Sequence, residues 1–410
     1  MKKIICFLLL AILVSCSKVT KEKPIIIDQG EDAVLVYIAS DNNLYSYAIK
    51  NIEQIEEAYK EFDKKQIFVY YDSPDDKIAK LIRIFEKKGL SSQNVVLKTY
   101  VNPNSCSPSH LNNVIIDAMN FCKGGKTVTD IILSSHGNSW LPAKHPSLSP
   151  AKISEPLGGM NSFGEDNSHN HSQMNIDALA DVLEKFKFET IIFDACYMSN
   201  MEVIYELRNS AKYIIASSAE VLADGFAYDE TTKYLLEERI DVINYAKTYF
   251  NHYNIFTDAK KSATIAVVKC SEIDSFKDFV KNLIDKYALQ INNSEISETV
   301  PQFDRFNNKV IYDLKFYLRT IVSNYATVGD KDKELSNIDT AFSKMFLYEA
   351  HTDMMLNILD LSKTNGISCF IPTPETPDSY KNYYLRLQWG DDSGLSNPIF
   401  FNKEDSNIKQ

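Results

Sequence analysis

Beyond its first residues the 410-residue chain contains no run of eighteen or more apolar residues, so no membrane-spanning helix is expected after the N-terminus. Basic residues are in deficit, 44 Lys and Arg against 55 Asp and Glu, for a net charge of −11. Binding a phosphate backbone needs a basic face, so nucleic acid is not expected as a partner. Seven cysteines are too few and too scattered for a disulfide scaffold. Setting aside Cys6 and Cys16 leaves Cys106, Cys122, Cys196, Cys270 and Cys369, an odd set with at least one free thiol. A Cys106–Cys122 pair stays open, whereas Cys270 and Cys369 sit in apolar runs like core thiols. Internal repeats and low-complexity tracts are absent. So are a G-x-S-x-G elbow and an H-E-x-x-H helix. Gly125-Lys126-Thr127 ends like a phosphate loop, but Asn120 stands where its first glycine belongs.

The N-terminus has the form of an export signal. Lys2 and Lys3 precede the apolar Ile4–Val14, and Leu13-Val14-Ser15-Cys16 resembles the bacterial lipobox, in which the cysteine is lipidated. Residues 1–15 are therefore expected to be a lipoprotein signal peptide, Cys16 a lipid anchor and residues 16–32 a membrane tether. Location in the bacterial cell envelope follows, at the periplasmic face or the cell surface.

Short β-branched and aromatic runs alternate with amphipathic stretches through the next 240 residues. Strands are expected at Ala33–Ser40, Gln66–Tyr71, Ile78–Phe85, Asn94–Tyr100, Asp130–Gly137, Thr190–Cys196, Tyr213–Ser218 and Ala263–Val268. Helices are expected at Tyr45–Phe62, Pro108–Cys122, Ile176–Phe186, Met201–Asn209 and Tyr234–Tyr253, with Asp41-Asn42-Asn43 as a turn and cap. Such alternation implies an α/β fold with a mostly parallel sheet covered on both faces. Residues 138–172 lack periodicity and read as an insertion loop. The stretch 271–397 reads as a mainly helical C-terminal subdomain with a late strand at Gly366–Ile371, and 398–410 as a tail. His169 and His171 lie in a polar loop without a nearby ligand set, so no metal site is assigned.

Two of the strands stop at a reactive side chain, DIILSSHG at His136 and TIIFDAC at Cys196. Open α/β sheets bind ligands beyond the carboxyl ends of their strands. An imidazole there can accept a thiol's proton, giving a base and a nucleophile. Gly137 removes a side chain beside His136, and backbone N–H groups of Gly137 and Cys196 are candidates for an oxyanion hole. Asp194 shares a strand face with Cys196. A carboxylate beside a thiol opposes its ionisation, so Asp194 suits a substrate cation better than it suits activation. Glu220 and Asp224, in SSAEVLADGFAYD, are candidates to add negative potential to the same pocket, or are exposed-loop acids.

Taken together, Ser40-Asp41-Asn42-Asn43-Leu44, Ser135-His136-Gly137, Phe193-Asp194-Ala195-Cys196, the 219–228 loop and Gly366-Ile367-Ser368 resemble the clostripain family of cysteine peptidases, in the clan of caspases, gingipains and legumain. The resemblance implies a caspase-like α/β/α sandwich over 33–270, a His136–Cys196 dyad, and cleavage after Arg or Lys with Asp194 at the floor of the primary pocket. Family members can mature by a cut between the dyad residues. Lys144 and Lys152 are the only Lys or Arg in 138–172 and are the expected processing sites. Ala223 and Phe226 stand where the family's proline and tryptophan are expected, which leaves Arg against Lys open. Calcium dependence occurs among relatives, but no compact acidic site indicates it here and no cofactor is expected. The expected partners are protein or peptide substrates carrying basic residues, acted on by a monomer. Two rival readings keep the fold: an inactive surface lipoprotein that binds a protein or glycan, and a thiol acyl-transferase.

Overall fold

The computed structural model describes residues 32–60, 64–75, 77–86, 94–122, 124–143, 162–305 and 309–401. Cys16, Lys144 and Lys152 lie outside them. The chain order is β1 (Ala33–Ile38), α1 (Tyr45–Ala58), β2 (Gln66–Tyr71), β3 (Ile78–Arg83), β4 (Val95–Val101), α2 (Pro108–Phe121) and β5 (Val128–Ser134). Next come β6 (Gly137–Asn138), β7 (Ser162–Asp166), β8 (Ser172–Met174), α3 (Ile176–Leu183), β9 (Phe188–Asp194), α4 (Met201–Leu207) and β10 (Ala211–Ala216). Then follow α5 (Tyr228–Leu235), α6 (Val242–Asn254), β11 (Thr264–Lys269), α7 (Ile273–Tyr287), β12 (Tyr312–Asp313) and β13 (Phe346–His351).

Nine strands form one sheet in the order β13-β11-β10-β9-β5-β1-β2-β3-β4. The five from β10 to β2 are parallel, and an antiparallel pair flanks them on each side. Strand periodicity sends alternate side chains to opposite faces. Leu35, Tyr37, Ile131, Leu133, Ile191 and Phe193 enter one core, shared with α2, α3, α4 and α7. Val34, Val36, Ile132 and Ile192 enter the other, shared with α1, α5 and α6. Both faces are buried, which is why the central strands read as continuous apolar runs. The architecture is a caspase-like α/β/α sandwich.

The structure departs from the sequence expectations in several places. The stretch expected as one helix from Tyr234 to Tyr253 is two, α5 and α6, because the Asp241 carboxylate accepts the Asn244 N–H and starts a new helix. Residues 162–174, expected as part of an irregular loop, contain β7 and β8, which pair with β6 in a small antiparallel sheet. Within 271–397, β13 pairs with β11 at the edge of the main sheet, and the helices there share the core of α2–α4. The late strand narrows to Ser368–Cys369, paired with β12 rather than with the main sheet. The end of the chain is anchored, not frayed, through residue 401: Trp389, Leu395 and Phe400 are buried. Cys106 and Cys122 are both free thiols.

Candidate active site

Parallel pairing of β5 with β9 places Ser134 opposite Asp194 in register. Two residues further on, each strand releases its reactive side chain, His136 from one and Cys196 from the other. The two ends approach so closely that a Cβ on Gly137 would lie 2.6 Å from the Cys196 carbonyl oxygen and 2.9 Å from the Ala195 Cβ. Glycine is therefore required at 137 to let the strand ends meet, a stronger reason than room for a substrate. After Cys196 the chain turns sharply at Tyr197, whose φ of 63° is unusual for a bulky residue and costs on the order of 1–3 kcal/mol. The Tyr197 N–H to Ala219 carbonyl bond, at 2.9 Å, holds the turn.

His136, Cys196, Asp194, Asn43, Glu220 and Arg305 all line one cavity of about 400 Å³. Its walls come from the carboxyl ends of β1, β5 and β9, the 220–225 loop, and the C-terminal residues Val310, Leu356 and Tyr380. No hydrogen bond joins imidazole and thiol. His136 Nε2 lies 2.6 Å from Asn43 Oδ1 and 3.9 Å from a Glu165 carboxylate oxygen. Cys196 Sγ accepts the Val221 N–H at 3.3 Å and faces the Val221 carbonyl at 3.7 Å. Burial holds the His136 pKa below the ordinary imidazole value, with Glu165 opposing. Burial pushes the Cys196 thiol up to about 12. The Val221 N–H works against that rise, while Glu220 and Asp194 add to it. At rest both groups are neutral.

Asp194 sits in the cavity floor, buried and almost without exposure. Its Oδ2 accepts the Tyr228 hydroxyl proton at 2.9 Å. Burial raises its pKa to about 6, partly offset by hydrogen bonds from Tyr228 and Ser134. No ion pair to a protein cation reaches it among the described residues. Gly225, at φ +75°, keeps the space above it open: a Cβ there would lie 2.9 Å from Asp194 Oδ2 and 2.7 Å from Asn51 Nδ2.

The other two acids behave differently. Glu220 faces the cavity, but both its oxygens meet Arg305 Nη2, at 2.7 and 2.8 Å, so its charge is largely spent. Asp224 points outward to Lys50 at 2.9 Å and Lys260 at 3.9 Å and does not line the cavity. His169 and His171 each rest on a carboxylate, Asp166 and Glu165 respectively, both at 2.9 Å.

Sequence reasoning missed Asn43, Arg305, Gly225 and Tyr228. Asn43 was visible as the last of three polar residues after a strand end, yet it read as a cap. The observed N-cap is Leu44 without a side-chain bond, and Asn42 Oδ1 accepts the Leu44 N–H. Arg305 lies in a stretch without periodicity and gave no signal.

The clostripain family model matches residues 36–403. The chain belongs to the clostripain family. It is 22% identical to clostripain of Hathewaya histolytica, across 86% of this chain and 76% of that protein. Among solved structures it is similar to a secreted C11 cysteine protease from Bacteroides thetaiotaomicron, held in complex with an irreversible peptide inhibitor. The TM-score is 0.73 with 23% identity, covering 89% of this chain and 99% of that one. It is also similar to an inactive zymogen C11 protease from Parabacteroides distasonis, with a TM-score of 0.70 and 25% identity, at the same coverage. The family makes this chain a cysteine-type endopeptidase, with proteins or peptides as its substrates.

Proposed function

We propose that this family member is an exported, lipid-anchored endopeptidase that cleaves after Arg or Lys with Cys196 as nucleophile and His136 as base. The observation that carries the specificity is Asp194: a buried carboxylate with no protein cation among the described residues, in the floor of the cavity that also holds the thiol and the imidazole. A buried charge without a partner is costly, and a substrate guanidinium or ammonium removes that cost. Export accords with the signal-like N-terminus and with a secreted relative; anchoring through Cys16 rests on the lipobox pattern alone.

Substrate binding and activation are coupled in this site. A cation on Asp194 cancels one of the charges that hold the Cys196 thiol up, so ionisation becomes easier once the pocket is filled. His136 then takes the Sγ proton, and the thiolate attacks the carbonyl carbon after the basic residue. Backbone N–H groups of Gly137 and Cys196 receive the oxyanion. The imidazolium returns the proton to the departing amine, leaving an acyl-enzyme that water hydrolyses with His136 again as base. Lys144 and Lys152 fit the same preference and are proposed as sites of self-cleavage.

The test is turnover of short fluorogenic peptides ending in Arg, Lys or a neutral residue. Wild type should cleave the first two only, and Cys196→Ala should lose at least about 10³-fold in kcat. Undiminished turnover by the mutant would remove Cys196 from the chemistry.

A further inference from the structure

We propose that Asn43 is a positioning residue that sets the tautomer and orientation of His136. The inference rests on the dyad reading above and adds a third member to it.

The argument starts from what each atom can donate. A carboxamide oxygen carries lone pairs and no proton. The 2.6 Å contact between Asn43 Oδ1 and His136 Nε2 is therefore a hydrogen bond only if the proton sits on Nε2. The imidazole is neutral at rest, because burial lowers its pKa. A neutral ring with a proton on Nε2 has a bare Nδ1, and Nδ1 is the nitrogen left for the thiol proton. Without Asn43 the neutral ring would be free to exchange tautomers and to rotate.

The local fold is built to present this one side chain. Asn42, the neighbour, is buried and spends its carboxamide on the backbone: its Nδ2 donates to the Ala39 carbonyl at 3.0 Å and the Glu165 carbonyl at 2.9 Å, while its Oδ1 accepts the Leu44 N–H at 2.9 Å. That fixes the turn between β1 and α1. Asn43 is itself exposed, so its side chain carries no share of the core. Glu165 Oε2 also approaches His136 Nε2, but at 3.9 Å it is beyond hydrogen-bond reach, and Oε1 of the same carboxylate faces His171 Nδ1 at 2.9 Å. The Cys196 thiol lines the same cavity as the ring, together with Asp194 and Glu220. Asn43 is thus the neutral group at hydrogen-bond distance from the ring.

In the reaction, Nδ1 accepts the proton from Sγ as the S–H bond breaks, giving thiolate and imidazolium. The Nε2–H bond to Asn43 strengthens as the ring gains charge. Nδ1–H then passes the same proton to the leaving amine, and the ring returns to its starting tautomer.

The test compares Asn43→Ala and Asn43→Asp with wild type and Cys196→Ala. Asn43→Ala should lower kcat roughly 10- to 100-fold with KM little changed. Asn43→Asp keeps the acceptor and adds a charge, so it should recover most of the rate and move the acid limb of kcat/KM up by about one pH unit. Nitrogen-15 NMR of the imidazole should show the Nε2–H tautomer in wild type and in Cys196→Ala, and its loss in Asn43→Ala. A raised KM with unchanged kcat, or an Nδ1–H tautomer in the wild type, overturns the proposal. Retained turnover by Cys196→Ala would instead sink the dyad, while the tautomer measurement still decides the role of Asn43.

Discussion

Two buried carboxylates, one near each end of the same central strands, have opposite surroundings. Asp130, near the amino end of β5, meets Lys65 at 2.6 Å and the Thr129 hydroxyl at 2.6 Å, with both charged side chains almost fully buried. Asp194, at the carboxyl end of the adjoining β9, is also buried but has hydroxyl partners and, among the described residues, no cation. The fold supplies a counter-charge where a carboxylate has only to sit. It supplies none at Asp194, where we propose that a substrate cation arrives. Desolvation without compensation raises the Asp194 pKa to about 6, so the empty pocket stores an electrostatic cost. On the proposed reading, that cost is a share of stability given up for recognition.

The largest effect that separates the two ends should come from Asp194→Asn. Losing a buried, charge-assisted contact to the substrate should lower kcat/KM on Arg and Lys peptides roughly 10²–10³-fold. The sign for stability is opposite. A carboxyl whose folded pKa lies above its unfolded value favours the fold only while protonated, and that contribution disappears as pH rises through about 6. At pH 7 the ionised Asp194 therefore burdens the fold, by at most about 3 kcal/mol for a shift of this size. Asp194→Asn should raise Tm at pH 7 and much less at pH 4. The same ionisation makes wild-type binding of basic peptides weaken below about pH 6, which a pH series of KM will show. A less stable Asn variant would mean that the carboxylate is compensated by something other than substrate.

Lys65→Met probes the other end. Removing one partner of a buried pair leaves Asp130 charged and unsolvated, which costs about 3–5 kcal/mol. Urea midpoints should fall accordingly, while kcat/KM of the folded fraction stays unchanged, because Lys65 is remote from the cavity. Lys65→Met combined with Asp130→Leu should recover most of the lost stability. A variant that folds normally but loses turnover would break the division between a structural and a functional carboxylate.

How much of this was legible in the sequence follows the same division. Strands β5 and β9 were readable because burial on both faces demands unbroken apolar runs, and their abrupt ends at His136 and Cys196 exposed the site. Asp194 was readable because period-two alternation ties it to Cys196. Strand β13 was hidden: it is a half-exposed edge strand, FLYEAH, placed after a long helix, and no local pattern separates it from its surroundings. The antiparallel direction of β11 was equally hidden, since direction is set by the path of the connection. Asn43, Arg305 and Gly225 act through contacts with residues far away in the chain, His136, Glu220 and Asp194, which periodicity cannot report. Glu220 and Asp224 looked alike on paper, and only their partners, Arg305 and Lys50, distinguish them.

Glu220 and Arg305 form a pair of intermediate burial on the cavity wall, so they offer the finest adjustment of the comparison. Glu220 is one of the charges that raise the Cys196 thiol, and its carboxylate is paired with Arg305. Arg305→Gln would leave the carboxylate acting alone, making the thiolate harder to form. Both side chains keep some exposure, so water screens part of the change. The rate of Cys196 alkylation by neutral iodoacetamide near pH 7 should fall about 3- to 10-fold in Arg305→Gln. Glu220→Gln should increase it by a similar or smaller factor, and the double variant should lie between them. Equal rates in all four proteins would show that this wall pair is structural, placing it with Lys65 and Asp130 instead of with Asp194.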